Sequence, residues 1–545
     1  MTPPLDLLLI AQSEVVNYDD YAELPLDRVE LYQHHVYPRM IHYRGRFRSQ
    51  LDCINLLKDG VSFAEAEEPL LMRLLTPWNL PSLGGMHLAN ALLSHGIRAK
   101  IINNFDAEWQ RFCEIYQQSD PKPLVGISTT FHLGWNELRR IAQRLHSLGS
   151  EMEIVLGGPF VHSMVQASGP DQLEATMRRY GIRYILHGFH AEKDLLDLIT
   201  ARRGGWPLEN VANLAYLKPG APAAFCATPS CWHPPLLDDT PALWDQLDLP
   251  FINKTVQLRT SCGCPFSCAF CSYPRTAHGF QTMSLPAVRR TLDALVRIPG
   301  VRQLVFVDDT FNMPLHRFKD VCRLLCEYDV EWYSFLRVQY LDDKTASLMR
   351  ASGCRAVYLG LESGNDQVLA NMNKHSTRAD YQRGLAALAA HDIISVAAFV
   401  IGFPGETRAT IDDDVAFIEN NPIDYYTLKD LYYMESTKVH DDRERYGLTG
   451  SGHVWSHATM DSQQLYDEKK RIIRAVRTAT FIDPDLSLWS LVTLRDFGFT
   501  FPQIRTMLGH LNRILCEQMD GRVDDTHHCY EAIRQLLARR EGRCS

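Results

Sequence analysis

Between residues 69 and 204 the chain alternates short apolar runs with segments whose apolar positions recur at helical spacing. The runs AKIINNF (99–105), LVGISTT (124–130), EIVLGGPF (153–160) and YILHGF (184–189) are short and nearly continuous, and they end in small or polar residues. That pattern predicts strands buried on both faces. MHLANALLSHG and WNELRRIAQRLHSLG have helical spacing, and each closes on glycine, a frequent helix stop. Strand and helix in alternation predict βαβ units and a parallel sheet. DLLLIAQSE supplies one more strand at the start. A stretch at about 15–68, rich in tyrosine, arginine and acids, interrupts the unit and carries no legible period.

LKPGAPAAFCATPSCWHPP (217–235) is too rich in proline for a helix or a central strand and reads as a linker. After it the alternation resumes through TVQLRT, QLVFVDD, WYSFLRV, AVYLGLES, SVAAFVIGFPG and YYTLKDL. Six such units predict a partial (β/α)6 barrel, with ligands at the carboxyl ends of its strands. Beyond about residue 451 the pattern turns helical, as in DEKKRIIRAVRTA and YEAIRQLLARR. The expected organisation is α/β: a doubly wound, Rossmann-like domain over 1–235, a barrel over 236–445 and a helical C-terminal region over 446–545.

Composition narrows the partners. Net charge is −9, which offers no general attraction to a phosphate backbone, so no nucleic-acid partner is expected. No apolar run approaches the roughly 18–20 residues that span a bilayer. LDLLLIA is shorter than that, and Asp6 stands where a signal peptide carries a basic residue. A cytoplasmic chain with no membrane partner is expected. In a reducing cytosol its 14 cysteines stay free, and clustered ones serve metal binding more readily than disulfides.

Four of those cysteines fall within SCGCPFSCAFC (261–271). Cys264, Cys268 and Cys271 form C-x3-C-x2-C just after the first strand of the second set. Three thiolates on one loop can hold three irons of a cubane iron–sulfur cluster and leave the fourth iron open. Structural zinc calls for a second cysteine pair elsewhere, and Cys322 and Cys326 lie instead on the apolar face of a helical segment. Cys262 precedes Cys264 by two residues and falls outside the spacing.

C-x3-C-x2-C after a first barrel strand resembles the signature of radical S-adenosylmethionine (SAM) enzymes. The alternating domain ahead of it resembles the cobalamin-binding domain of the cobalamin-dependent subgroup. The resemblance covers about residues 6–439. It implies a 4Fe-4S cluster on Cys264, Cys268 and Cys271, with SAM chelating the open iron and cleaved to a 5′-deoxyadenosyl radical. It implies an external electron donor such as flavodoxin or ferredoxin, and a small-molecule substrate.

The residues can be placed against that resemblance. Phe270 can lay its ring on adenine or simply pack. Glu362 and Ser363 in GLESG end a strand where the family contacts the methionine or ribose of SAM. Burying Glu362 without a partner is costly, which favours a ligand role. Arg337 can pair with the SAM carboxylate or stay solvated. Gly402 lies in VIGFPGET, which resembles the family's turn beside adenine and is also a tight turn on its own terms. Asp308 and Asp309 in DDTFN can line the substrate cavity or cap a helix.

For cobalamin, Gly157 and Gly158 in VLGGPFV allow close backbone approach, and Ser128 and Thr129 can hydrogen-bond the nucleotide tail. Trp78 is the candidate for the lower face of the corrin. Gly188 and Glu192 remain from the glycine–acid end of the fifth strand, which here reads HGFHAEKD. D-x-H-x-x-G, the motif with the cobalt-ligating histidine, is missing. His132, His187 and His190 lie near strand ends and read as loop histidines.

Three functions fit. The first is a methyltransferase that carries the methyl group on cobalamin. The second is a non-methylating cyclase or rearrangement enzyme. The third is a cobalamin- or redox-sensing iron–sulfur protein, which would not need GLESG and GFPGET at strand ends beside an open iron. The N-terminal insertion and GSGHVWSHATM (450–460) resemble a subgroup that includes phosphinate P-methylases, which points to a carbon or phosphinate-phosphorus acceptor.

Overall fold

The computed structural model describes residues 4–13, 39–62, 66, 68, 70–131, 134–149, 151–218, 224–277, 279–483 and 487–541. Two seven-stranded sheets organise the chain. In the first, the order across the sheet is Ala99–Asn104, Leu7–Gln12, Leu124–Ser128, Ile154–Gly157, Tyr184–Leu186, Leu214–Leu217, Phe225–Ala227. Its first five strands run parallel. Apolar side chains alternate between two cores: Leu8, Ile10, Ile127 and Leu156 face one, and Leu7, Leu9, Leu124 and Val155 face the other. Helices cover both faces, so the central strands are buried almost throughout and the sequence shows continuous apolar runs rather than alternation. The strand order reverses between Leu7–Gln12 and Leu124–Ser128, and doubly wound sheets open a crevice at such a point.

The segment expected to be a linker does more. Leu214–Leu217 and Phe225–Ala227 pair antiparallel and finish the sheet. An edge position tolerates the neighbouring prolines because one side of its ladder needs no donor.

The second sheet is the barrel, in chain order throughout: Thr255–Leu258, Gln303–Phe306, Glu331–Leu336, Cys354–Glu362, Ile394–Ile401, Tyr425–Asp430 and Thr480–Phe481. All pairs are parallel. The seventh strand comes from the C-terminal region and is two residues long, too short to leave a period in the sequence. That region also holds a small antiparallel sheet of Thr449–Ser451, Val454–His457 and Met460–Asp461. Cys322 is buried in the barrel's outer core, whereas Cys326 is exposed, so only the first is a core residue.

The helices Ser487–Asp496, Phe501–Met519 and His528–Glu541 pack against Val305, Tyr333, Ala356 and Val396 of the barrel strands. Thr500 and Gln503 start the long helix with a reciprocal cap that satisfies two of its free amide donors. The described part of the N-terminal insertion joins this same core. Its hairpin, Ile41–Tyr43 with Arg46–Arg48, and its helix Gln50–Asp59 contribute Ile41, Tyr43, Leu51 and Ile54. The His42 amide donates to Gln518 at 2.7 Å, and Gln518 Nε2 donates back to the Met40 carbonyl at 3.0 Å. A segment inserted in the first domain thus folds onto the end of the chain. Among the described residues no helix is long and apolar enough to cross a membrane.

Tyr43 is the anchor of that contact. It is fully buried, its ring centroid lies 4.4 Å from that of Tyr530, and its hydroxyl accepts from Arg534 at 3.0 Å. Tyr43→Ala is expected to destabilise the C-terminal unit by about 3–5 kcal/mol, and Tyr43→Phe by only about 1 kcal/mol. Urea unfolding followed by fluorescence checks both; equal losses would place the contribution in the hydroxyl.

Candidate active site

The cysteine loop begins where Ser261–Gly263 pairs antiparallel with Phe280–Thr282. Gly263 has φ 83°, and a Cβ there would sit 1.7 Å from the Gly279 carbonyl oxygen, so only glycine fits the crossing. Backbone bonds then pin the loop. The Cys271 amide donates to the Cys268 carbonyl at 3.1 Å, the Ala269 amide to Met372 at 2.8 Å, and the Val439 amide to the Ala269 carbonyl at 2.8 Å. Cys264, Cys268 and Cys271 are free thiols. Cys264 Sγ lies 3.4 Å from Thr310 Oγ1, and Arg337 Nη1 points at Cys268 Sγ from 3.9 Å. Burial, then the charges of Cys268 and Cys264, push the Cys271 thiol up to about 11. A cationic centre among the three sulfurs would offset that cost at Cys271, which suits the donor set to a metal cluster. Cys262 turns the other way, with Sγ 3.8 Å from His190 Nε2.

Two basic side chains brace this loop from below. Arg337, 5% exposed, stacks its guanidinium 3.7 Å over the Phe266 ring and donates to the Lys374 carbonyl. It is a buried residue of the site, not a solvated strand end. Lys374 Nζ bonds Glu362 Oε1 at 2.8 Å, and both side chains are buried. Glu362 sits at φ 70°, where the strand register shifts after Gly360. A Cβ on Gly360 would lie 2.4 Å from Glu362 Oε1, so that glycine lets the carboxylate fold back over the strand. The sequence gives no hint of Lys374, which falls in no motif, nor of the part played by Phe266, an unspecified position between Cys264 and Cys268; both roles come from the fold around Arg337.

The other three SAM-side residues have their own contacts. Ser363 is fully buried and donates to Asp414 at 2.9 Å. Burial pushes the Asp414 carboxyl up to about 7. Gly402, at φ 90°, passes so close to the Trp455 ring that a Cβ would meet it at 2.5 Å. Its amide donates to Glu406, and its carbonyl lies 3.1 Å from His457 Nε2. Phe270 is half-buried against the barrel core.

A cavity of about 630 Å³ opens between the carboxyl ends of the two sheets, a size usual for ligand sites. Ser128, Gly157 and Gly158 form its wall on the first domain; Arg259, Tyr273, Asp308 and Asp309 form the barrel wall, and Trp489 comes from the C-terminal region. Leu9 and Gly126, from the two strands at the order reversal, also line it. Gly84 faces the cavity with nothing closer than 3.9 Å to a Cβ built on it, leaving a cradle for a flat ligand.

Three residues expected at cobalamin stand behind this wall. Thr129 donates to the Gly157 carbonyl at 2.9 Å and shapes the glycine turn from within. Gly188 makes room for a buried acid, since a Cβ would lie 2.2 Å from Asp194 Oδ2. Trp78 packs edge-on to Phe131 at 5.2 Å, and it is Phe131 that reaches the cavity.

His132 lies outside the described residues. The His187 carbonyl holds His162 Nδ1 at 2.7 Å. His190 does line the cavity, and burial lowers its pKa to about 4, which keeps it neutral near pH 7. Asp308 is fully buried and accepts from Thr260 N at 2.9 Å and from the Ser261 hydroxyl at 2.5 Å, tying the first two barrel strands together at the mouth.

With this geometry in view, residues 258–418 match the Radical SAM superfamily. An uncharacterized methyltransferase from Pyrococcus horikoshii is 26% identical over 359 residues, which span 63% of this chain and 74% of that protein. An anaerobic magnesium-protoporphyrin IX monomethyl ester cyclase from Rubrivivax gelatinosus is 26% identical over 292 residues, half of each chain. Among solved structures, the radical SAM methyltransferase TsrM from Kitasatospora setae aligns with a TM-score of 0.53 at 16% identity, covering 81% of this chain and 76% of that one. The cobalamin-dependent radical SAM enzyme OxsB aligns at 0.54 and 14% identity, covering 85% and 81%. Residues 258–418 therefore carry a radical SAM domain, and the two-sheet fold around it is the one seen in TsrM and OxsB.

Two outcomes test this geometry. Alanine at Cys264, Cys268 or Cys271 is expected to abolish the 4Fe-4S cluster and SAM cleavage, and Cys262→Ala to retain both, by iron analysis and electron paramagnetic resonance of anaerobic protein. Loss of iron in Cys262→Ala alone would reverse the assignment.

The second concerns Asp309, an exposed residue on the cavity wall whose carboxyl is pushed up to about 6 from an ordinary 3.8 by desolvation among its neighbours. The fold prefers it protonated, a contribution fully present below about pH 4 and lost as pH rises through 6. Because solvent screens an exposed carboxyl, Asp309→Asn should change stability little near pH 4 and raise it by less than about 1 kcal/mol above pH 7. Urea unfolding across that range checks the sign.

Proposed function

We propose that this protein is a cobalamin-dependent radical SAM methyltransferase acting on a small-molecule metabolite, with carbon or phosphinate phosphorus as acceptor. One observation carries the reading: a single cavity has the glycine turn of the doubly wound domain on one wall and the mouth of the cysteine-bearing barrel on the other. When bound, the cluster supplies an electron for SAM cleavage, and cobalamin supplies a carrier for the methyl group.

The chain's own residues hold and orient these groups. Cys264, Cys268 and Cys271 hold the cluster. Arg337 places its positive charge beside Cys268. Phe270, Glu362, Ser363 and Gly402 form the SAM side: Lys374 pairs with the Glu362 carboxylate and aims it, and Asp414 and Trp455 pack against Ser363 and Gly402. Ser128, Gly157 and Gly158 receive cobalamin directly; Thr129, Gly188 and Trp78 support that surface from behind. Neutral His190 adds no charge to the cavity near pH 7. An external reductant of the flavodoxin or ferredoxin type supplies the electron.

The match to a magnesium-protoporphyrin cyclase favours a second reading, a radical rearrangement without methyl transfer. Anaerobic protein loaded with corrinoid, incubated with methyl-deuterated SAM, reductant and panels of phosphinate and carbon acceptors, separates the two. The expected result is an intact labelled methyl group in the product, with S-adenosylhomocysteine released. A mechanism by hydrogen abstraction also releases one 5′-deoxyadenosine per methyl group. Deoxyadenosine formed with substrate turnover and no label in the product would exclude methyl transfer and leave the rearrangement.

A further inference from the structure

Far from the cavity, the turn before the last helix reads THHCYEA (526–532). One ring nitrogen each from His527 and His528 and the sulfur of Cys529 lie within 4.8 Å of one another. A second element closes on the same sulfur. His510, on the helix Phe501–Met519, brings Nδ1 to 3.2 Å from Cys529 Sγ, and His528 Nε2 lies 3.6 Å away on another side. A thiol has one proton and can serve only one of these nitrogens as donor. Neighbouring ligands of a tetrahedral centre with metal–sulfur and metal–nitrogen bonds of about 2.3 and 2.0–2.1 Å stand about 3.6 Å apart, the separation of His528 Nε2 and Cys529 Sγ.

The surroundings fit as well. Cys529 is fully buried while His528 is exposed, so the sulfur is shielded and an entry path from solvent remains. His527 Nε2 lies 3.4 Å from the Glu517 carboxylate, leaving Nδ1 for a metal. A carboxylate behind the distal nitrogen is the usual outer partner of a metal-bound histidine. Nδ1 now accepts the Cys529 amide at 3.1 Å and would exchange that bond for the metal.

We propose that His527, His528 and Cys529 form a binding site for a late first-row divalent cation, zinc foremost, with His510 beside the thiol. Sulfur with imidazole selects such ions over magnesium or calcium, which take oxygen ligands. Binding converts the thiol to a thiolate and releases its proton to solvent. The ion closes the turn that starts the last helix, and two of its ligands contact the helix before it, His527 through Glu517 and Cys529 through His510. Tyr530, the next residue, is the one that stacks on Tyr43, so the site fastens the corner where the insertion docks. It is independent of the radical chemistry.

The test uses full-length protein with its iron–sulfur cluster reconstituted, equilibrated with zinc and desalted. Wild type is expected to retain about one zinc per chain, with an X-ray absorption shell of one sulfur at about 2.3 Å and nitrogen at about 2.0–2.1 Å. His528→Ala, at an exposed position, and Cys529→Ser should each weaken zinc binding about 10–100-fold and leave iron content and SAM cleavage unchanged. No zinc retained by wild type, retention unchanged in both variants, a shell without sulfur, or zinc lost instead with Cys264, Cys268 or Cys271 would each overturn the proposal.

Discussion

Three thiols confined to one short, half-buried loop set the terms for the rest of this structure. Ionised together at Cys264, Cys268 and Cys271 they repel one another, and burial makes the charge on Cys271 costlier still. The fold answers with positive charge placed under the loop. Arg337 lies against Cys268 and stacks on Phe266, and Lys374 sits one hydrogen bond further on. Lys374 in turn holds Glu362, which would otherwise be a buried carboxylate without a partner. The chain of contacts from sulfur to arginine to lysine to glutamate couples the loop to the end of the fourth barrel strand. A change at any member is felt as altered charge at the others, so these residues behave as one unit.

The second constraint is the facing of two sheets. Carboxyl strand ends are where backbone amides and loops are free to bind ligands, and here two sets of them meet across one cavity. Glycine matters on the first wall because it leaves backbone exposed to a flat ligand, as at Gly84 and Gly157. On the second wall Asp308 ties Thr260 and Ser261 together, so the cysteine loop leaves from a rigid edge. The C-terminal helices then fill the barrel's inner side and add Trp489 to the cavity. They also receive the N-terminal insertion, which links the two ends of the chain through Tyr43, Gln518 and Arg534.

Much of this was legible without coordinates. Both sheets announce themselves as apolar runs between helical segments, because a strand buried on both faces must be apolar throughout. The cysteine spacing stands out because a cluster constrains sulfurs on one loop, a purely local requirement. Asp308 and Asp309 were legible as residues at the barrel mouth for a similar reason, since they end a strand. What stayed hidden was everything carried by few residues or distant ones. The edge strand Phe225–Ala227 and the closing strand Thr480–Phe481 are too short for a period. Ser363, Thr129, Gly188 and Trp78 sit in motif positions, yet no motif says that they meet Asp414, Gly157, Asp194 and Phe131, and Asp414 and Phe131 lie outside the motifs altogether.

By itself, then, the sequence determined the element types, the two α/β units and the identity of the sulfur loop, because hydrophobic period and ligand spacing are local properties of the chain. Only the tertiary structure decided which side chains share a cavity and which charges are paired. Arg337, open to either a solvated or a buried reading in one dimension, became buried because Phe266 and Lys374 close over it from elements 71 and 37 residues away in sequence. The insertion found its place only on helices more than 400 residues later. Burial and pairing depend on what packs alongside in space, and no window of sequence contains that information.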